Sequence, residues 1–233
     1  MGEFDMGKSV IAPFIWEKGF LNVDYLIISH PQPDHYKGLI FIAKHFNPKE
    51  FWYAPSELPQ ELEKLIKELK EKGVLIRKLH KDINIHIDGV NFKVLHPSSD
   101  FISKDVNDQS LVLKIEWNNR SLLFTGDITE RAEIELSKDP SDLKSEVLKV
   151  PHHGSKTSNS YPFAREVSPN FAIISVGRNN PYGHPHQRVV SRYEGLGATV
   201  LRTDLCGMIE MEGSSSGWKV KTYLKCTSSP QLR

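Results

Sequence analysis

Two imidazoles and a carboxylate fall within His30-Pro31-Gln32-Pro33-Asp34-His35. The apolar run Tyr25-Leu26-Ile27-Ile28 precedes them and reads as a buried strand. The polar cluster therefore sits at a strand's carboxyl end, where open α/β sheets bind their ligands. Its two prolines stiffen the turn and reduce the entropy lost when the side chains converge. Imidazole with carboxylate suits Zn²⁺ or Mn²⁺ better than Ca²⁺. The bland alternative is a pair of histidines capping a turn.

A second cluster, His152-His153-Gly154-Ser155, follows another apolar run that ends in Val150. Tandem histidines beside a glycine that permits close backbone approach suit one metal ligand and one neighbour that orients it or meets substrate. The residues do not say which histidine is which. Asp127 follows Leu122-Leu123-Phe124-Thr125-Gly126. A carboxylate at the end of an apolar strand is costly unless something compensates it. It either caps a helix beginning near Thr129 or bridges metals, and the histidine loops favour the second. His184 lies in a loop marked by asparagine, proline and glycine. Thus five of the ten histidines, namely His30, His35, His152, His153 and His184, follow predicted strands. His45, His80, His86 and His96 read as surface or packing residues, and His186 as the start of a helix.

The elements that must position these groups are legible in the periodicity. Strands are expected over residues 24–29, 51–54, 74–79, 83–87, 90–95, 110–117, 121–125, 147–150, 171–176, 198–202, 208–212 and 218–223. Helices are expected over 9–16, 36–45, 129–137 and 187–196. Leu62, Leu65, Ile66 and Leu69 recur at helical spacing between Pro59 and Gly73, giving an amphipathic surface helix. Strand–helix units alternate with hairpins, which implies sheets flanked by helices and not a uniformly wound parallel sheet.

A chain of 233 residues, 39% hydrophobic and 25% charged, suits one large globular domain or two small ones. Its net charge of +1 carries no global basic field advertising nucleic acid. Cys206 and Cys226 fit neither a metal spacing nor a disulfide framework, and are weakly consistent with a reducing compartment. No apolar run reaches transmembrane length and no signal-peptide pattern opens the chain, so it is expected to be a soluble piece. That leaves room for membership of something larger.

Several ordered motifs together resemble the metallo-β-lactamase fold, and specifically the hydrolase domain of the ComEC competence family. They are Ser29-His30-Pro31-Gln32-Pro33-Asp34-His35, Asn107-Asp108-Gln109-Ser110-Leu111-Val112-Leu113, Leu123-Phe124-Thr125-Gly126-Asp127, Val150-Pro151-His152-His153-Gly154-Ser155, Asn180-Pro181-Tyr182-Gly183-His184-Pro185 and Arg202-Thr203-Asp204. The resemblance runs from Glu3 to about Tyr223. It implies an α/β, four-layer αβ/βα sandwich over residues 1–225 with a disordered tail at 226–233. It implies metal ligands at His30, Asp34, His35, Asp127 and one of His152 and His153. The family consists of polytopic membrane proteins that bring DNA into bacteria, and this domain is thought to degrade the strand not imported. Expected partners are therefore single-stranded DNA and a membrane channel region of the same polypeptide, which would tether the domain to the cell membrane.

The chain also departs from that pattern. Many relatives carry a third histidine at Gln32, the wider superfamily has a histidine near Asn107, and relatives begin with further strands. Their absence here suggests a fragment, an engineered piece or a misplaced start, with an exposed sheet edge. One metal would use Asp34, His35, Asp127 and the later histidine. The other would have His30 and Asp127, with Gln32 and Asn107 as poor neutral ligands, so one firm site and one weak or empty site are expected. The expected chemistry is metal-assisted phosphodiester hydrolysis. Asp34 or Asp127 would orient the attacking water. His184, or the non-ligand member of His152 and His153, would serve the leaving oxygen. Ser155, Asn180 and Asn107 are candidate substrate contacts. The competing readings are a module that binds DNA or a partner without cutting, and a hydrolase of small phosphoesters.

Overall fold

The computed structural model describes residues 4–226. Two sheets face each other, each covered on its outer side by helices. The smaller sheet is parallel, in the order β1 (Tyr25–Ile28), β2 (Glu50–Tyr53), β3 (Leu75–Lys78). Against it lie α1 (Ala12–Glu17), which a π-helical turn at Gly7–Ile11 leads into, α2 (Pro33–His45) and α3 (Gln60–Glu71). The apolar stripe of α3, Leu62, Leu65, Ile66 and Leu69, is buried in the apolar cluster between these helices and the small sheet, as its spacing predicts.

The larger sheet has seven strands in the order β10 (Thr199–Arg202), β9 (Phe171–Ile174), β8 (Val147–Lys149), β7 (Arg120–Phe124), β6 (Val112–Trp117), β5 (Val90–His96), β4 (Asn84–Ile87). Its first part is an antiparallel meander, β4 to β7, and its second part is parallel, β7 to β10. The helices α4 (Glu130–Leu136), α5 (Tyr161–Val167) and α6 (Gln187–Gly195) cover its outer face. Between the sheets, Trp52 and Leu79 pack on Val94, Leu111 and Leu113. Three apolar layers separated by two sheets make the αβ/βα sandwich that the sequence implies.

A short helix, α7 (Thr203–Cys206), leads to a separate hairpin of β11 (Ile209–Ser214) and β12 (Gly217–Thr222). The cysteine expectation is corrected here. Cys206 and Cys226 form a disulfide with Cα atoms 4.5 Å apart. The hairpin reverses the chain, and Leu224 N donates to Cys206 O at 2.8 Å, so residues 20 apart in sequence become neighbours. That pairing removes the free thiols on which a reducing compartment was inferred, and it takes Cys226 out of the expected disordered tail. Residues 227–233 of that tail lie outside the described residues. Among the described residues no helix is long and apolar enough to cross a membrane.

Candidate metal centre

Four loops at one end of the two sheets meet in a single place. The first leaves β1 and enters α2 at Pro33, whose fixed φ suits the first turn. It carries Asp34 and His35. The second is the β7–α4 turn, where Gly126 adopts φ +55°. A Cβ at Gly126 would lie 2.6 Å from Ser110 Cβ and 2.8 Å from Ser29 Cβ, so only glycine fits between the two loops. Asp127 follows. Its amide donates to Ser110 Oγ at 3.1 Å. It does not cap α4. The Thr129 amide and hydroxyl donate instead to the buried Asp108. The third loop follows β8 and carries the tandem histidines, and the fourth follows β9.

Asp34, His35, Asp127 and His153 each offer one ligand atom, and these atoms lie within 4.8 Å of one another. The two imidazoles and two carboxylates alternate. Nε2 of His35 is 3.3 Å from Asp127 Oδ2 and 3.6 Å from Asp34 Oδ2. Nε2 of His153 is 3.2 Å and 3.6 Å from the same two oxygens. Nδ1 of His153 donates to Ser175 O at 2.7 Å, which leaves Nε2 facing the cluster. Ser29 Oγ lies 3.2 Å from His35 Nδ1 and 3.1 Å from His30 Nδ1.

The donor set fits a divalent cation. His30 Nε2, His35 Nε2, His153 Nε2 and Asp127 Oδ1 are buried with no hydrogen-bond partner. Buried polar atoms are rarely left in that state without a ligand or water. Their protonation carries the same message. Burial works to raise the Asp127 carboxyl, but the His153 and His35 rings beside it outweigh that and hold it far below the usual carboxylate range. The Asp127 and then the Asp34 carboxylate push His153 up to about 9. Burial, then the charge of His35, takes His30 down to about 4.

The remaining predicted residues stand around this group. His30 is fully buried with its ring 4.1 Å from that of His35, beside the quartet and outside it. The ring of His152 turns away, 6.4 Å from His153 and 5.9 Å from His184. Burial lowers the pKa of His152 and of His184. Asn107 keeps a buried, unpartnered Oδ1. Ser155 and Asn180 are occupied within their own loops. Ser155 Oγ pairs with the Thr157 hydroxyl at 2.9 Å, and Asn180 Nδ2 donates to His184 O at 2.6 Å while its Oδ1 accepts from His184 N. His186 starts α6, its ring accepting from Arg188 N.

Sequence reasoning missed Lys149. It ends β8, and its ammonium donates to Val150 O at 2.9 Å. With His35, Ile27, Leu111 and Phe124 it lines a cavity of about 480 Å³ beside the quartet. Burial lowers its pKa, against the pull of Asp127 and Asp34. The available signal was a lone cation inside the run Val147-Leu148-Lys149-Val150.

The layered sheets and the histidine–aspartate edge define a metallohydrolase fold, and the family comparison agrees. The metallo-beta-lactamase superfamily matches residues 5–178, and the chain belongs to that superfamily. Over 214 residues it is 36% identical to ComE operon protein 3 of Bacillus subtilis (strain 168), covering 89% of this chain and 27% of that protein. It is 32% identical over 224 residues to competence protein ComA of Neisseria gonorrhoeae, covering 94% of this chain and 30% of that one. The chain thus spans less than a third of the length of these curated relatives. The resemblance to competence proteins holds over most of the chain. Among solved structures, CmlA, a diiron β-hydroxylase from Streptomyces venezuelae, is similar at TM-score 0.54 and 14% identity, covering 78% of this chain and 44% of that one. YhfI from Bacillus subtilis, a metallo-beta-lactamase fold protein, gives 0.53 and 13%, covering 82% of this chain and 80% of that one. At such identities these two share the fold alone. A metal-dependent hydrolase role follows from the superfamily, and the quartet is its candidate metal site.

Proposed function

We propose that this chain is a phosphodiesterase domain that cuts DNA during uptake, with residues 1–225 as its single folded unit. The observation that carries the reading is the quartet of Asp34, His35, Asp127 and His153 with its unpartnered nitrogens. Similarity to ComE operon protein 3 and to competence protein ComA supports DNA as substrate. A membrane channel partner, which would hold the domain at the bacterial membrane, is part of the same proposal and rests on the family resemblance of the sequence motifs.

The quartet would hold one Zn²⁺ or Mn²⁺ firmly. His30 and Asp127 would offer a weak second position, because Gln32 and Asn107 supply only neutral amides. Bound there, a divalent cation supplies Lewis acidity toward phosphate oxygens and makes attack by hydroxide accessible near neutral pH. The chain's own groups do the rest. Asp34, the exposed carboxylate, faces solvent and can accept a proton from an approaching water. Asp127, enclosed, fixes both imidazoles. His184 is held neutral near pH 7 by burial, so it offers an N–H to the leaving oxygen as a hydrogen-bond donor.

The neutral amides at Gln32 and Asn107 favour one second reading, a domain that holds DNA without cutting it. The discriminating experiment is a metal titration followed by end-labelled single-stranded DNA. Metal-stimulated cleavage that disappears in Asp127→Ala supports the proposal. Stoichiometric metal and DNA binding without products supports the binding module. Cleavage of bis(p-nitrophenyl) phosphate with none of DNA moves the substrate to small esters.

A further inference from the structure

His152 and His153 both adopt left-handed backbone angles, φ 48° and 53°, and Gly154 follows at 80°. Consecutive non-glycine residues rarely take this conformation, and they keep it only where the surroundings over-determine it. The turn is what aims His153 at Asp127 and turns His152 away. Part of its support is backbone. His152 N donates to Gly126 O at 3.2 Å, and His186 N donates to Gly154 O at 2.9 Å.

The carbonyls at the two ends of the turn, Pro151 and Ser155, share one side-chain partner. Nδ2 of Asn159 donates to both, at 3.1 Å and 3.3 Å. Asn159 is completely buried, and the rest of it is also engaged. Its Oδ1 accepts from the Tyr193 hydroxyl at 2.9 Å, which fixes the orientation of the amide. Its backbone N–H donates to Glu133, and Glu133 also accepts from Ser160 N at 2.8 Å. Glu133 comes from α4 and Tyr193 from α6, and both are fully buried. A primary amide on a short stem has the two donors and one acceptor that this position uses.

We infer that Asn159, gripped by Glu133 and Tyr193, is a positioning residue for the metal centre, its amide locking residues 151–155 in the turn that presents His153. The inference rests on His153 as a ligand. A buried polar triad is not the cheapest way to fill the space between three helices, and apolar side chains would pack there without desolvation. What the triad reaches, and apolar groups would not, is the pair of carbonyls flanking the histidines. Asn159 itself sits at φ +68°, a region that aspartate also tolerates. Asn159→Asp therefore keeps the backbone and sets a carboxylate oxygen against two carbonyl oxygens.

The test compares Asn159→Asp and Tyr193→Phe with Val167→Ala, which opens a cavity in the apolar core of α5 away from the amide. Two quantities are read on folded protein: Co²⁺ affinity with its visible ligand-field spectrum, and the Nδ1–H signal of His153 by ¹⁵N NMR without metal. Asn159→Asp should lose Co²⁺ affinity by about 10–100-fold and lose the Nδ1–H signal. Tyr193→Phe should move both readings the same way by less. Val167→Ala should melt earlier and change neither. Parent-like affinity, spectrum and ring signal in Asn159→Asp and Tyr193→Phe would overturn the inference. So would an equal loss of affinity in Val167→Ala. If the parent binds no Co²⁺, the reading of His153 as a ligand fails, and the metal-free ring signal still decides whether Asn159 holds the turn.

Discussion

His153 cannot bind a cation while it carries a proton on Nε2, and the carboxylates around it favour that proton. Its pKa of about 9 makes metal uptake a proton exchange. At pH 7 only about one molecule in a hundred has the neutral ring, so apparent affinity there should be about 100-fold below its plateau. It should climb roughly tenfold per pH unit until pH 9. Titration calorimetry at pH 7 in buffers of different ionisation enthalpy counts the protons, and about one should leave per cation from this ring. Affinity that is flat between pH 7 and 9, with no proton released, would refute the reasoning. The metal-free protein carries the complementary sign. A histidine whose folded pKa is raised stabilises the fold fully below pH 6.5 and loses that contribution as pH rises through 9. The shift corresponds to about 3 kcal/mol at most. Urea melts in chelator at pH 6 and pH 9.5 should differ in that direction. Asp127→Asn should return His153 toward the ordinary range and flatten both profiles.

Three further outcomes are expected. Gly126→Ala forces a Cβ into Ser110 and Ser29 at a positive φ. It should cost about 2–4 kcal/mol in a denaturant melt, and a loss below half a kcal/mol would mean the two loops are not pressed together. Lys149→Met removes a charge whose folded pKa burial has lowered, so it should stabilise the protein at pH 7. That gain should fade as pH approaches 10.5, and a loss at pH 7 would show that the pull of Asp127 and Asp34 outweighs burial. Cys206→Ser opens a loop of 20 residues and should lower stability by about 3 kcal/mol, matched by reductant on the parent. An unchanged melt with reductant would argue against the pairing.

How much of this was legible beforehand follows the range of the interactions. The stripe of α3, the strand before His30 and the hairpin turn at Asn118-Asn119 are local patterns, and they emerge where periodicity and turn residues place them. So does the gathering of His35, Asp127 and His153, because each follows the end of a strand of a layered fold. The helix α5 escaped, since its seven residues include a proline and show less than two full apolar repeats. The choice between His152 and His153 escaped because it depends on the left-handed backbone angles of the turn, which side-chain types alone do not encode. The disulfide depends on a hairpin reversal, and the enclosure of Lys149 depends on a cavity wall drawn from several distant strands. Neither has a short-range signature.

Asp34 and His35 ride on the layer that opens the chain, whereas Asp127 and His153 ride on the layer that closes it. Each leaf of the sandwich brings half of the grip. A cation seated there would act as a clasp between the leaves. Its binding strength would then report their mutual alignment. Reshaping the interior seam at Trp52 or Leu79, neither of them in the quartet, should register as a change in how tightly the clasp closes.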